Sequence, residues 1–187
     1  LYFRDKTAVF FSLLSMLIVI GLMVVFLESM NVDNILDLLK QYGGARDAET
    51  DKANAKMLVV LWTVAGIIVV NAFTVTLTIV GMMVQDEENG KLASFYVAPI
   101  DRARILLGYI ISAIIIGVII CMFTFFISEL YLLAIGGELL SLMATLKIFG
   151  LIVLNVFVSA CMMILLASLI HSESAWSALG TIVGTLV

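Results

Sequence analysis

The segment Gln85 to Arg104 carries the side chains whose types and spacing could best do chemistry. Asp86, Glu87 and Glu88 place three carboxylates in a row. Gly90 follows, then an eight-residue gap, then Pro99, the only proline in the chain. Leu92, Phe95, Tyr96 and Pro99 recur at i, i+3, i+4 and i+7, which is one face of a helix. Gly90 permits a sharp turn into that helix. Pro99 ends it by disfavouring helical geometry at Ala98, and Asp101 is placed to cap the helix that follows. Arg102 and Arg104 suit a membrane interface. The segment therefore reads as a short amphipathic helix stiffened at both ends. Two chemistries fit it equally: a helix lying among lipid headgroups, or a docking knob for a soluble partner with Phe95 and Tyr96 as aromatic anchors.

The rest of the chain offers polar groups of weaker character. Asn71, Thr74 and Thr78 fall at i, i+3 and i+7, with Thr63 two turns earlier. They read either as hydrogen-bonding glue between helices or as a polar stripe along a substrate path. Asn155 and Ser159, at i and i+4, read the same way. Gly180 and Gly184 form a small-xxx-small pair that allows close helix packing, and Trp176 reads as an interface anchor. Glu129 is expected to face the outer headgroups, and His171 is expected to be a solvated hinge residue. Cys121 and Cys161 read as small packing residues, with no Cys/His set at metal-ligand spacing. No nucleophile has a nearby base, and no carboxylates pair at membrane depth, so the chain is not expected to be an enzyme or to hold a cofactor.

The elements that must position these residues are set by four stretches without a charge. Ala8–Leu27 has 20 residues, Met57–Val84 has 28, Ile105–Ile127 has 23 and Ile148–Ile170 has 23. About 20 apolar residues let a helix cross the hydrocarbon core. A fifth such stretch starts at Ala175. Of the 187 residues, 63% are hydrophobic and 13% charged, and the mean hydropathy is +1.20, far from a soluble domain. The net charge of −4 and scattered basic residues exclude a nucleic-acid binder. The fold class is thus all-α: a polytopic membrane helix bundle of four complete transmembrane helices and the start of a fifth, with short amphipathic helices in its loops. Residue 1 is Leu, and the last stretch stops at Val187, so residues 1–187 are expected to be one transmembrane domain cut from a longer protein.

Between the first two spans, Val32, Ile35, Leu36 and Leu39 mark an amphipathic helix. Asn31 or Asp33 would cap it, Gly43-Gly44 would end it, and its apolar face would lie on the bilayer or on neighbouring spans. The polar tract Ala45–Lys56 lacks helix breakers and can extend the second span outward. Gly136-Gly137 marks a turn, and Ser172 or Ser174 can cap the fifth helix. Arg4, Lys6, Lys91, Arg102 and Arg104 share one side of the membrane; Lys40, Arg46, Lys52, Lys56 and Lys147 share the other. Five face five, and the denser first set favours a cytoplasmic N-terminus and Gln85–Arg104 loop.

Asp86, Glu88, Gly90, Pro99, Asp101 and Arg102, followed by Ile105-Leu106-Leu107-Gly108, resemble the coupling-helix region of ABC-transporter permeases of the type-2 exporter family. Phe3-Arg4-Asp5-Lys6 and the order of loops resemble that family too; Lys91 and Asp101 depart from its commoner Thr and Ser. The resemblance implies that Asp86, Glu88, Gly90, Leu92, Phe95, Tyr96, Pro99 and Arg102 couple to a separate ABC ATPase subunit, which would hold the ATP and magnesium. No G-x-x-x-x-G-K-[ST] phosphate loop occurs in this chain. The resemblance further implies a single permease domain in the plasma membrane, paired with a second permease as a homo- or heterodimer. Such a domain would have an N-terminal interfacial helix before residue 1, and a re-entrant segment and a last span after residue 187. Two other readings stay open: a secondary transporter or channel fragment, which should carry ionisable residues or proline within the membrane, and a non-transporting membrane anchor or assembly protein.

Overall fold

The computed structural model describes residues 10, 14, 18, 21–22, 28–41, 47–92, 102–134, 136–137, 139–170 and 172–186. These residues are helical throughout apart from short turns, with no strand among them. Five helices follow in order: α1 (Glu28–Gln41), α2 (Ala48–Glu88), α3 (Arg102–Ala134), α4 (Leu142–Ala167) and α5 (Glu173–Leu186). Among the described residues three of them, α2, α3 and α4, are long and apolar enough to cross a membrane. The expected fourth, Ala8–Leu27, is described only at Phe10, Leu14, Ile18, Gly21 and Leu22, all helical. The all-α, multi-pass membrane class therefore stands on three long spans. α5 is described over 14 residues.

Each long helix follows from local chemistry. The polar tract does extend the second span, and α2 reaches 41 residues, about 60 Å at 1.5 Å per residue. Asp47 caps it: the Thr50 hydroxyl donates to Asp47 Oδ2 at 2.5 Å, and Asp51 N–H donates to the Asp47 carbonyl at 3.0 Å. The hydrogen bond from Thr50, with backbone N–H groups behind it, holds the Asp47 carboxyl below its usual range. Ser141 caps α4 by accepting from Ala144 N–H at 3.3 Å. Gly136, with φ +85°, ends α3: Gly136 N–H donates to Leu133 and Gly137 N–H to Leu132, the paired bonds of a left-handed helix stop. By contrast α1 starts at Glu28. Asn31 and Asp33 lie inside it rather than at its cap, and Gly43-Gly44 lie outside the described residues.

The chain divides into two compact units, Leu1–Ile68 with Thr124–Leu140 and Val69–Phe123 with Ser141–Val187. In the first unit Val32 of α1 packs with Ala55 and Val59 of α2, flanked by Ile35 and Leu36. The apolar face of α1 is thus turned to a neighbouring helix rather than to lipid. Val60 and Ile67 pack on Leu132. Glu129 departs from the expectation of an outward-facing headgroup contact. It is half-buried within α3, its Oε2 accepts the Leu140 N–H at 3.4 Å, and its Oε1 is buried without a partner.

In the second unit one face of α4, at Ile152, Val156, Ser159, Ala160, Met163 and Ala167, is buried. Its other faces carry Leu142, Leu146, Leu154 and Leu165 exposed, as lipid contact requires. Gly117 lets α3 and α4 approach: a Cβ there would stand 2.6 Å from Val156 Cγ1. In lipid no hydrophobic gain draws helices together, so close packing and hydrogen bonds must do it.

Candidate functional site at the end of the second helix

The last turn of α2 is where the sequence places its acidic run, and its backbone explains the abrupt stop. Gly90 has φ +68°, a region open to glycine at little cost. Gly90 N–H donates to the Glu87 carbonyl and Lys91 N–H to the Asp86 carbonyl, both at 3.0 Å. This is the same left-handed stop as at Gly136. Such stops usually add an apolar contact across the turn. Here an ion pair takes that place, with Lys91 Nζ 2.8 Å from Asp86 Oδ1. The Tyr109 hydroxyl of α3 donates to the other oxygen, Asp86 Oδ2, at 2.9 Å. One carboxylate thus ties the end of α2 to the loop leaving it and to the helix that follows that loop.

The neighbouring side chains of this turn reach a different element. Gln85 Nε2 donates to Glu173 Oε1 at 2.7 Å. The backbone N–H of Glu173, first residue of α5, donates to Glu88 Oε2. A carboxylate at a helix N-terminus satisfies an orphan N–H and meets the positive end of the helix dipole. Ser172 completes the cap: Ala175 N–H reaches its Oγ at 3.5 Å, as the sequence anticipates for one of its two serine candidates. Ser174, the other, lies inside α5 and shares a 2.7 Å hydroxyl contact with Ser172.

One turn deeper, Trp176 fixes the pair. It is 6% exposed and packs with Val80, Met83, Val84, Met163 and Ala167, so it is a core residue and not an interface anchor. Its indole N–H donates to the Leu77 carbonyl at 3.3 Å, and its ring fills the space over Gly81. A Cβ on Gly81 would stand 2.5 Å from Nε1 and 2.9 Å from Cδ1.

Of the residues expected to couple to a partner, Asp86, Glu88, Gly90 and Leu92 are therefore gathered at one place, with Leu92 buried. Arg102 opens α3. Phe95, Tyr96 and Pro99, and with them the short amphipathic helix and Asp101, lie outside the described residues, as does His171. Tyr109, Glu173 and Trp176 are not legible from sequence as parts of this site. A tyrosine one turn into an apolar span, and a tryptophan four residues after a capping serine, are the available signals, but nothing in the sequence pairs them with α2.

The intramembrane polar residues behave differently. Thr63, Thr74 and Thr78 each donate to the carbonyl four residues back in their own helix, a local alternative to any contact across helices. Thr76, not singled out by spacing, is fully buried and does the same. Asn71 is half-buried. Ser159 is fully buried and donates to the Asn155 carbonyl at 2.8 Å. Asn155 Nδ2 is buried without a partner. At Gly180 a Cβ would meet Leu77 Cδ2 at 3.5 Å, an ordinary van der Waals distance that leaves room for a side chain; Gly184 lies one turn on in α5. Among the described residues no three His, Cys, Asp or Glu gather as a metal site. No protein family, no curated protein and no solved structure matches this chain.

Proposed function

We propose that the chain is the transmembrane subunit of an ATP-driven ABC exporter, with the Gln85–Arg104 loop as the docking point for a separate ATPase subunit on the cytoplasmic side of the plasma membrane. The observation that carries this reading is the braced end of α2. A loop that transmits force needs a rigid root, and Gly90, the Asp86–Lys91 pair and Tyr109 supply one. The sequence resemblance carried by Asp86, Glu88, Gly90, Pro99, Asp101 and Arg102 supplies the partner. ATP and magnesium belong to that ATPase, and this chain hydrolyses nothing. Two such permeases, alike or different, would enclose the path, and the uncharged spans suit a hydrophobic or amphiphilic cargo such as a drug, a peptide antibiotic or a lipid.

Co-expression with an ATPase encoded beside the gene tests the reading. The two should co-purify, and Phe95→Ala, Tyr96→Ala or Gly90→Pro should uncouple ATP hydrolysis from transport while leaving membrane insertion intact. Normal coupling in all three variants would remove the docking role. A specific observation favours a second reading, the secondary transporter. Glu129 has a buried, unpartnered oxygen, and ionisable groups of that kind mark ion pathways. Under that reading Glu129→Gln should abolish transport without any ATPase being involved.

A further inference from the structure

We propose that Asn89-Gly90 is a site of spontaneous covalent modification, in which the Gly90 backbone nitrogen closes on the Asn89 side chain, and that the stop ending α2 sets its rate. The inference stands apart from any partner of the Gln85–Arg104 loop. Of the six asparagines in the chain, Asn89 alone is followed by glycine. A backbone nitrogen next to an asparagine can attack the side-chain amide because the two are tethered, and a five-membered ring closes between them. A following side chain crowds that approach; glycine has none and turns freely. Asn89 and Gly90 are both exposed, so water reaches the reacting atoms. Water is the only co-reactant, and nothing is oxidised or reduced. The Gly90 nitrogen gives its proton to solvent base and bonds to Asn89 Cγ. The Cγ–Nδ2 bond breaks, and Nδ2 leaves as ammonia with a proton returned from solvent. One water then opens the ring. Opening at Cγ gives aspartate; opening at the backbone carbonyl carries the main chain through Cβ and Cγ and gives isoaspartate.

The hydrogen bonds of the turn hold this reaction back. Gly90 N–H is donated to the Glu87 carbonyl at 3.0 Å, so the attacking nitrogen is engaged by the helix end. Asn89 Nδ2 donates to the Gln85 carbonyl at 2.8 Å, so the amide to be attacked is tied one turn back. Ring closure needs both bonds open and therefore proceeds only through a frayed turn. Lys91 and Tyr109, both held on Asp86, brace that turn and govern how often it frays. The products do not refit. Isoaspartate adds a carbon to the main chain just before Gly90 and shifts the Gly90 and Lys91 N–H groups off their carbonyls. Either product loses the donor to Gln85 and adds a carboxylate beside Asp86, Glu87 and Glu88, at the negative end of the α2 dipole. Conversion thus keeps the turn open once it has occurred, which makes the site a one-way timer on the end of α2.

The test is peptide mass spectrometry of the full chain in detergent, incubated at neutral pH and sampled over time, with an isoaspartyl methyltransferase assay reading the branched product. Asn89 should convert progressively, mostly to isoaspartate, and several-fold more slowly than in the same chain unfolded in denaturant. Asn54, equally exposed on α2 but followed by Ala55, should stay intact. Tyr109→Phe and, separately, Lys91→Gln should each raise the folded rate roughly two- to tenfold, the population factor of one net hydrogen bond, and leave the rate in denaturant unchanged. Asn89→Gln should stay unmodified throughout. Asn89 still intact in the folded protein after many half-lives of the unfolded chain would overturn the site. A folded rate equal to the unfolded one would overturn its control by the α2 stop. So would a folded rate that neither variant changes while helical circular dichroism shows the fold retained.

Discussion

Gly81→Ala puts the packing of α2 against α5 at greatest risk. A methyl group at this position would lie 2.5 Å from Trp176 Nε1 and 2.9 Å from Cδ1, inside van der Waals contact. The indole must shift, and its hydrogen bond to Leu77 stretches from 3.3 Å. Overpacking of this kind costs about 1–3 kcal/mol, and the weakened bond adds about 1 kcal/mol. Alanine's better helix propensity returns about 1 kcal/mol. The net expectation is destabilisation by about 1–3 kcal/mol. Gly66→Ala on the same helix is the control, because a Cβ there meets nothing within 4 Å. Only the propensity gain remains, so that variant should be stabilised by up to about 1 kcal/mol. Thermal unfolding in detergent, followed by the loss of helical circular dichroism, reads both, and serves equally for variants that lack Trp176. Trp176→Ala combined with Gly81→Ala should lose less than the two single changes together, since the clash is gone once the ring is absent. Equal stability of Gly81→Ala and Gly66→Ala would refute the reasoning, and so would strict additivity in the double variant.

Other consequences are simpler to read. Glu129→Ala leaves the Leu140 N–H without its acceptor and should lower stability by about 1–3 kcal/mol, whereas Glu129→Gln keeps an acceptor and should stay within about 0.5 kcal/mol of the parent; denaturation midpoints decide. Tyr109→Phe removes the hydroxyl that reaches Asp86 Oδ2 and should speed amide exchange at Gly90 and Lys91 without altering α4. Asp47 has its carboxyl held below the usual range by Thr50. Its capping contribution should therefore be full above the ordinary carboxyl value of about 4 and fade as pH falls through the lowered one. Amide exchange in the first turn of α2 should accelerate only at that acid limit, and an Asp47→Asn variant should lose the response. Gly90→Val, forced into a left-handed backbone, should fray the end of α2, and Gly90→Asn should do so less; exchange at Asn89 and Lys91 distinguishes them.

Legibility follows the range of the physics involved. Length and absence of charge are local, so α2, α3 and α4 are readable from their uncharged stretches, and the outward extension of α2 from a tract without helix breakers. The apolar spacing of Val32, Ile35 and Leu36 is readable, but not whether lipid or α2 meets it. Glycine stops at Gly90 and Gly136, and the cap at Ser172, follow from backbone geometry that few other residues allow. What sequence does not report is partner choice between helices. Trp176 has an amphipathic ring that suits an interface, and only the notch at Gly81 makes it a core residue. Glu129 reads as external because it follows the third uncharged stretch, yet α3 continues past it to Ala134 and turns it inward. The threonines on α2 suit contact across helices by spacing. Their hydroxyls instead reach the carbonyl four residues back, a choice set by side-chain length that periodicity does not report.

The central claim is that the Gln85–Arg104 loop lies inside the cell and receives an ATPase. Asn89 is exposed at its root and can be probed directly. With Asn89→Cys in a Cys161→Ser background, an impermeant maleimide should label inside-out vesicles and not intact cells, and added ATPase should slow that labelling. Labelling from outside intact cells, or labelling in vesicles that the ATPase leaves unchanged, would contradict the account.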